Sequence, residues 1–467
     1  MKKILFSTIF LIFLGTTVLG QVFPVDTLFK NGDVDKRINL VFLSDGYQAH
    51  ELGQYLSDVN AILNDLFSQS PFKEYKNYFN AFAVKVPSAQ SGARHDQISA
   101  DNECAGVPVS QVSTYFGSSF DAYGIHRLLV PTNTSAVSNV LASSFPQYDQ
   151  PFVVVNSPYY GGSGGFYATS STHANANEVS IHEIGHSFAF LADEYWAGPS
   201  YAAEKPNLTQ QSNPQLVRWK NWLTTNGINI YPHAESPTWY RPHQDCKMRY
   251  LGVPFCSVCR ETFVERIHTL VPPLESAQPD PGHLGSVSID LPFSLSLIKP
   301  SPNTLKVVWK VNGYTVAKNK DQITVSLGQL TTGENKILAE IIDTTALTRQ
   351  NAHYVDHLYL LEWKLDNNLV TGIEISSTTT AFNFSSYPNP ADEFINFSYT
   401  LSDKAHVTIN ILDAAGRKIN TIVRSWQYPG AYDYHLSTHE TGIQKSGLYL
   451  LRINIDGTII TRKIVRP

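Results

Sequence analysis

Residues 179–195 read Val-Ser-Ile-His-Glu-Ile-Gly-His-Ser-Phe-Ala-Phe-Leu-Ala-Asp-Glu-Tyr. Within them, His182, Glu183 and His186 stand at a spacing that can do chemistry. On a helix, side chains four residues apart stack on one face, so both imidazoles aim at one point. The carboxylate between them sits beside that point without crowding it. Two neutral imidazoles are zinc ligands, and a third protein ligand plus an open position completes a catalytic site. Zinc lowers the pKa of bound water to roughly 7, and a carboxylate nearby can take its proton. One helical turn thus carries the core of a metal-assisted hydrolysis.

The spacing alone is weak evidence. A bare His-Glu-x-x-His arises by chance in roughly one chain in a hundred of this length. The bland alternative is an amphipathic helix with two surface histidines. The surroundings argue against it. Val179, Ile184, Phe188 and Leu191 recur at helical spacing, which predicts a helix packed into a domain. A packed helix does not carry His, Glu and His without partners, because unpaired polar groups in a core cost free energy. Gly185 costs about 1 kcal/mol of helix propensity, for which a purely structural helix has no use.

The third ligand requires a break in the helix. Were the helix to continue, Asp193 would lie roughly 16 Å along the axis from His182, beyond metal reach. The chain must turn for Asp193 to ligate. Asp193 is the favoured ligand and Glu194 the alternative; the bland reading is that both acids orient the site or cap backbone.

The elements that must position this segment follow from pattern. Ile38 to Leu43 is a nearly continuous apolar run, the signature of a buried strand. Leu52, Tyr55, Leu56, Val59, Leu63 and Leu66 form an amphipathic helix that stops before Pro71. Asn80 to Val86, His126 to Val130 and Phe152 to Val155 read as further strands. Strands and helices interleaved ahead of a metal-bearing helix predict an α/β catalytic domain over residues 21–270. Between the last strand and the helix lies a glycine-rich stretch, Tyr159 to Tyr167. It reads equally as a flexible loop or as a sheet edge over the cleft, where a peptide could add as a strand.

Prolines at 272, 273, 279 and 281 mark a linker over 271–285. Residues 286–370 alternate like strands, with Leu305 to Val311 running into the hairpin dipeptide Asn312-Gly313. They predict an immunoglobulin-like sandwich. A Ser/Thr-rich stretch, Ser376 to Thr380, precedes a last β module over 380–467.

The N-terminus reads as a secretory signal over 1–20: Lys2 and Lys3, the apolar run Ile4 to Leu14, and small residues before Gln21. No later apolar run reaches spanning length. A net charge of −5 offers nothing to nucleic acid or an anionic membrane. For the four cysteines of an exported chain, disulfides are expected: Cys246 with Cys256 or Cys259, the other with Cys104. The competing reading of Cys256-x-x-Cys259 is a structural zinc site, for which only Cys246 and His243 stand near enough as further ligands.

The segment from His182 to Tyr195 resembles the IgA-peptidase family of secreted bacterial zinc endopeptidases. Leu43-Ser-Asp-Gly-Tyr47, Tyr78-Phe-Asn80, Cys246-Lys-Met-Arg249 and Pro254-Phe-Cys-Ser-Val-Cys259 look like its signatures. The resemblance implies a metzincin-like zincin fold, zinc held by His182, His186 and an acid of the Asp193-Glu194 pair, and Glu183 as base. In metzincins a glycine breaks the helix seven residues after the first histidine, and the third ligand comes at the tenth. Those positions are Ala189 and Ala192 here. Met248 is the candidate for the methionine turn beneath the metal. Tyr250 is the candidate oxyanion stabiliser, with Tyr195 as its rival. The last module resembles the C-terminal sorting domain of the type IX secretion system of Bacteroidetes, on Tyr387-Pro-Asn-Pro390, Gly447-Leu-Tyr449 and Lys463-Ile-Val-Arg466. That implies the type IX machinery as a partner and a secreted or surface-bound protein. The expected function is a secreted zinc endopeptidase acting on protein or peptide substrates. The alternatives are a surface adhesin on a degenerate zincin and a metal amidase acting on cell-wall peptides.

Overall fold

The computed structural model describes residues 21–102, 104–287, 289–367, 384–387, 391–414, 416–456 and 458–466. The expected signal segment, Ser376 to Thr380 and Pro388-Asn389-Pro390 lie outside the described residues.

The run Ile38–Asp45 is buried at all eight positions. It forms the interior of a six-stranded sheet, parallel to Phe79–Val84 on one side and to Gln150–Val155 on the other. Strand geometry sends alternate side chains to opposite faces. Ile38, Leu40 and Phe42 accordingly pack with Tyr55 and Val59 of helix Leu52–Leu66, Ile181 and Ile184 of helix Ala176–Ser187, and Phe263 of helix Ser257–Leu270. Val41 and Leu43 face the other way, onto Val137, Val140 and Leu141 of helix Thr134–Ser144. Helices therefore cover both faces, which is why this strand has no polar alternation. Beyond Gln150–Val155 the sheet continues through Ala168–Ser170 and ends on the short antiparallel strand Gly162–Ser163.

One expectation for this region changes. His126 to Val130 is not a strand throughout; the strand there is Val130–Pro131, and Ala122–Gly124 is a turn of 3₁₀ helix with Tyr123 in left-handed backbone. The Leu43 to Tyr47 motif is structural. The Asp45 carboxylate accepts hydrogen bonds from the backbone of Phe116 and Ser118 and from the Thr114 hydroxyl, pinning the 114–118 loop to the strand end.

Residues 271–285, expected as a linker, contain strands Leu274–Gln278 and Gly282–Ser286. Each joins one of two sheets, of three and five strands, that share a core of Phe293, Trp309, Ile337 and Trp363. Asn312 and Gly313 both adopt positive φ and join Leu305–Val311 to Tyr314–Lys318, as the dipeptide predicts. A further pair of sheets, of three and four strands, encloses Phe397, Ile409, Ile411 and Leu451. The C-terminal part of the chain is all-β.

Candidate metal centre

The histidine helix spans Ala176–Ser187. It ends just past His186, and Phe190 adopts left-handed backbone at φ 56. The Leu191 N–H then returns to the Gly185 carbonyl at 2.9 Å. The break thus falls at Phe190, one residue later than the metzincin glycine. The acid follows it by three residues, as the metzincin ligand follows its glycine. A non-glycine residue in this conformation costs about 1–2 kcal/mol. The Arg266 guanidinium lies 5.2 Å from the centre of the Phe190 ring and helps hold it.

This turn brings Asp193 back over the helix. Its Oδ1 lies 3.1 Å from Nε2 of His182 and 3.3 Å from Nε2 of His186, and the two Nε2 atoms are 3.2 Å apart. Both Nδ1 atoms face carbonyls: His182 donates to Lys247 O at 2.9 Å and His186 to Leu191 O at 2.8 Å. A carbonyl can only accept, so each neutral ring carries its proton on Nδ1 and presents a bare lone pair at Nε2. With both rings neutral, three acceptor atoms converge. A tetrahedral ion with ligand bonds of about 2.0–2.2 Å sets neighbouring ligand atoms roughly 3.3 Å apart. The donor set and spacing fit such an ion. Among the protein groups alone, the charges answer one another. Burial by itself would lower His186, yet the Asp193 carboxylate carries it up to about 9. Burial opposes ionisation of Asp193, and the two imidazoles overcome it, holding the carboxyl well below its ordinary range.

Glu183 points to the same cleft, a cavity of about 1600 Å³ whose lining includes Tyr195 and Tyr250. Burial pushes its carboxyl up, with the two histidines opposing. The glycine-rich stretch explains itself here. A Cβ on Gly164 would stand 2.5 Å from His186 Cβ and 2.8 Å from Glu183 Oε2. One on Gly162 would stand 2.5 Å from Val179 Cγ1. Strand Gly162–Ser163 is the last of the sheet, but its outer side is covered at Gly162, whose N–H donates to Arg127 O at 3.1 Å and whose carbonyl accepts from Leu129 N at 3.3 Å, so the expected open edge is closed there. Gly164→Ala should lower kcat/KM about 10-fold or more, because the added methyl meets His186 Cβ, fixed on the helix, as well as the Glu183 carboxylate. Unchanged peptidase kinetics in that variant would show that the close approach is irrelevant.

Glu194 does not share the histidine site. It turns the other way into a fully buried position. Met248 is buried, and its Sδ would lie 2.5 Å from a Cβ on Gly185. Gly185 is therefore the helix position that admits the methionine against it. Of the two tyrosines, Tyr250 is 48% exposed, with Arg249 over its ring. Tyr195 is nearer the ligand atoms. Burial raises its phenol, Asp193 adds to the rise, and Arg127, 5.7 Å from its ring centre, opposes it.

Three residues make contacts around the cluster that the motifs did not assign to them. Buried Lys247 ion-pairs with Glu178, in the first turn of the histidine helix, so the carbonyl that orients His182 is tied to that same helix. Glu178 stands four residues before His182, a spacing that could have signalled it. Asn207 had no such signal. Its side chain accepts from Ala192 N and donates to Ala192 O, both at 2.8 Å, beside Asp193. Asn207→Ala removes both bonds and leaves buried backbone groups unpaired. A destabilisation of about 2–3 kcal/mol is expected in urea unfolding; a loss below half of that would mean water replaces the amide.

The expected disulfides do not form: all four cysteines are free thiols. Cys104 cannot reach the other three. It sits with His95, Asp121 and His126, its Sγ 3.3 Å from His95 Nε2. Cys246, Cys256 and Cys259 converge elsewhere, their sulfurs 3.6–3.7 Å apart where they touch Cys259.

An α/β unit with a convergent His-His-Asp cluster, followed by all-β sheets, defines the class. Residues 27–235 match the family model described as IgA Peptidase M64, and residues 385–466 that of the secretion system C-terminal sorting domain. The resemblance read from the motifs holds in both regions: a peptidase-family region carries the cluster, and the protein is exported by the type IX system to the cell surface or beyond. The matched peptidase range ends before Cys246. No curated protein matches the chain. Among solved structures it is similar to dimeric latent PorU from Porphyromonas gingivalis, at 14% identity over 41% of this chain and 20% of that one, TM-score 0.18. It is also similar to SGBP-B of the Bacteroides ovatus mixed-linkage glucan utilization locus, at 12% identity over 41% and 68%, TM-score 0.14. The chain spans a fifth of the PorU chain, and scores this low bear on neither fold nor function. Among the described residues no helix is long and apolar enough to cross a membrane.

Proposed function

We propose that the protein is a secreted zinc endopeptidase of metzincin-like fold, with His182, His186 and Asp193 holding the ion and Glu183 as general base. The observation that carries this reading is the convergence of three lone-pair acceptors at 3.1–3.3 Å, with both Nδ1 protons already committed to carbonyls. Zinc held there supplies Lewis acidity toward the scissile carbonyl and lowers the pKa of its water to roughly 7.

The chain's own groups do the rest. The Glu183 carboxylate takes the proton of the attacking water and returns it to the leaving amine. The Tyr195 hydroxyl, beside Asp193, is placed to donate to the developing oxyanion; Tyr250 on the rim is the second candidate. The Lys247 and Leu191 carbonyls keep both imidazoles in the tautomer that presents Nε2.

Stripping the metal from the full chain should abolish cleavage of casein, and stoichiometric zinc should restore it. Cleavage that survives complete metal removal would overturn the reading. A protein that instead cuts only cell-wall peptides would prove to be an amidase on the same site.

A further inference from the structure

Asp193 and Glu194 are consecutive, yet their carboxylates serve different clusters. Glu194 Oε1 lies 3.2 Å from Cys259 Sγ and 3.8 Å from Cys256 Sγ. Cys259 Sγ lies 3.6 Å from Cys256 Sγ and 3.7 Å from Cys246 Sγ. The four ligand atoms all fall within 4.8 Å of one another, and all four residues are buried. A tetrahedral zinc with Zn–S of about 2.3 Å and Zn–O of about 2.0–2.2 Å sets S···S near 3.8 Å and S···O near 3.6 Å. The two S···S separations fall within about 0.2 Å of that value, and the two S···O separations lie on either side of theirs.

Three further observations point to a cation. Glu194 Oε2 is buried with no hydrogen-bond partner, and Asn207 supplies one amide donor to Oε1. A buried carboxylate so poorly satisfied is costly unless a positive charge faces it. The Cys256 N–H donates to Cys246 Sγ at 3.3 Å, as a backbone amide does to a thiolate. Finally, three cysteines cannot all be paired as disulfides. One thiol would remain beside the carboxylate, and Cys104 is held elsewhere by His95 and Asp121. His243, the other ligand candidate by sequence, is not in the cluster; its Nδ1 accepts from Asp245 N.

We propose that Cys246, Cys256, Cys259 and Glu194 form a closed tetrahedral site for a structural divalent cation of the zinc class, separate from the histidine centre. Its formal ligand charge is that of an ordinary Cys₄ zinc site. It ties three pieces together: the turn after the histidine helix, the 246–256 loop and the start of helix Ser257–Leu270. Met248 and Lys247 lie within that loop. The Glu194 N–H donates to Met248 O at 2.7 Å, and Lys247 O orients His182. The ion would therefore fix the backbone on both sides of the cleft site without touching substrate.

The test uses the full chain carrying His182→Ala and His186→Ala, which removes the cleft site, and Cys104→Ser, which removes the remaining thiol. Loaded with cobalt(II), this protein should bind one equivalent with thiolate-to-cobalt charge-transfer absorption, and zinc should displace it. Adding Cys256→Ser and Cys259→Ser should remove both the absorption and the bound equivalent. Absence of charge transfer in the parent would overturn the proposal even if the double cysteine variant fails to fold. So would a disulfide among the three cysteines, found by non-reducing peptide mapping of the protein as isolated. Neither readout depends on peptidase activity, so the peptidase reading and this one can fail separately.

Discussion

Glu183→Gln should lower peptide cleavage about 10²–10⁴-fold while metal content stays at the wild-type value. The amide has the shape of the carboxylate, so Gly162 and Gly164 still accommodate it, but it cannot accept the proton. The histidine rings keep their carbonyl partners, so the three acceptor atoms still converge. The measurement is a casein cleavage assay paired with metal analysis of the same sample. Wild-type cleavage by this variant would sink the base assignment. Loss of metal together with activity would mean that Glu183 serves binding, not proton transfer.

Asp193→Ala is the second large effect. Its Oδ1 is the acidic atom in the convergent triangle, and alanine leaves two imidazoles facing a cavity. One metal equivalent should be lost with cleavage. The affinity loss should exceed the ~10–100-fold typical of removing an outer-shell partner. Neighbouring Glu194 cannot substitute, because its carboxylate is held by Asn207 and the cysteine cluster. Metal titration of the apoprotein checks this. Retention of wild-type affinity would assign the third position to another group.

Much of the fold and of the site is legible in the order of the amino acids. The His182, Glu183 and His186 set declares itself because helix periodicity is a local rule, and three side chains within one turn need no tertiary information to converge. The buried run at Ile38–Asp45, the helix to Leu66 and the Asn312-Gly313 hairpin follow from equally local patterns. The choice between Asp193 and Glu194 does not. Two adjacent acids are chemically alike in sequence, and only the left-handed turn at Phe190 sends one to the histidines and the other to the cysteines. The cysteines mislead for a related reason. Export argues for disulfides by compartment alone, whereas pairing is a matter of distance, and Cys104 sits with a different set of partners.

What the residues by themselves determined is a helix with its histidines and glutamate gathered on one face, in an exported, multi-module chain, because spacing and composition act over a few residues. What only the tertiary structure decided is which distant groups meet that helix. Asn207 on the ligand turn, the Lys247 carbonyl on His182 and Glu194 among three thiols are contacts across 13 to 65 positions of sequence. Their partners are chosen by how the chain closes its loops, and no local pattern records that closure.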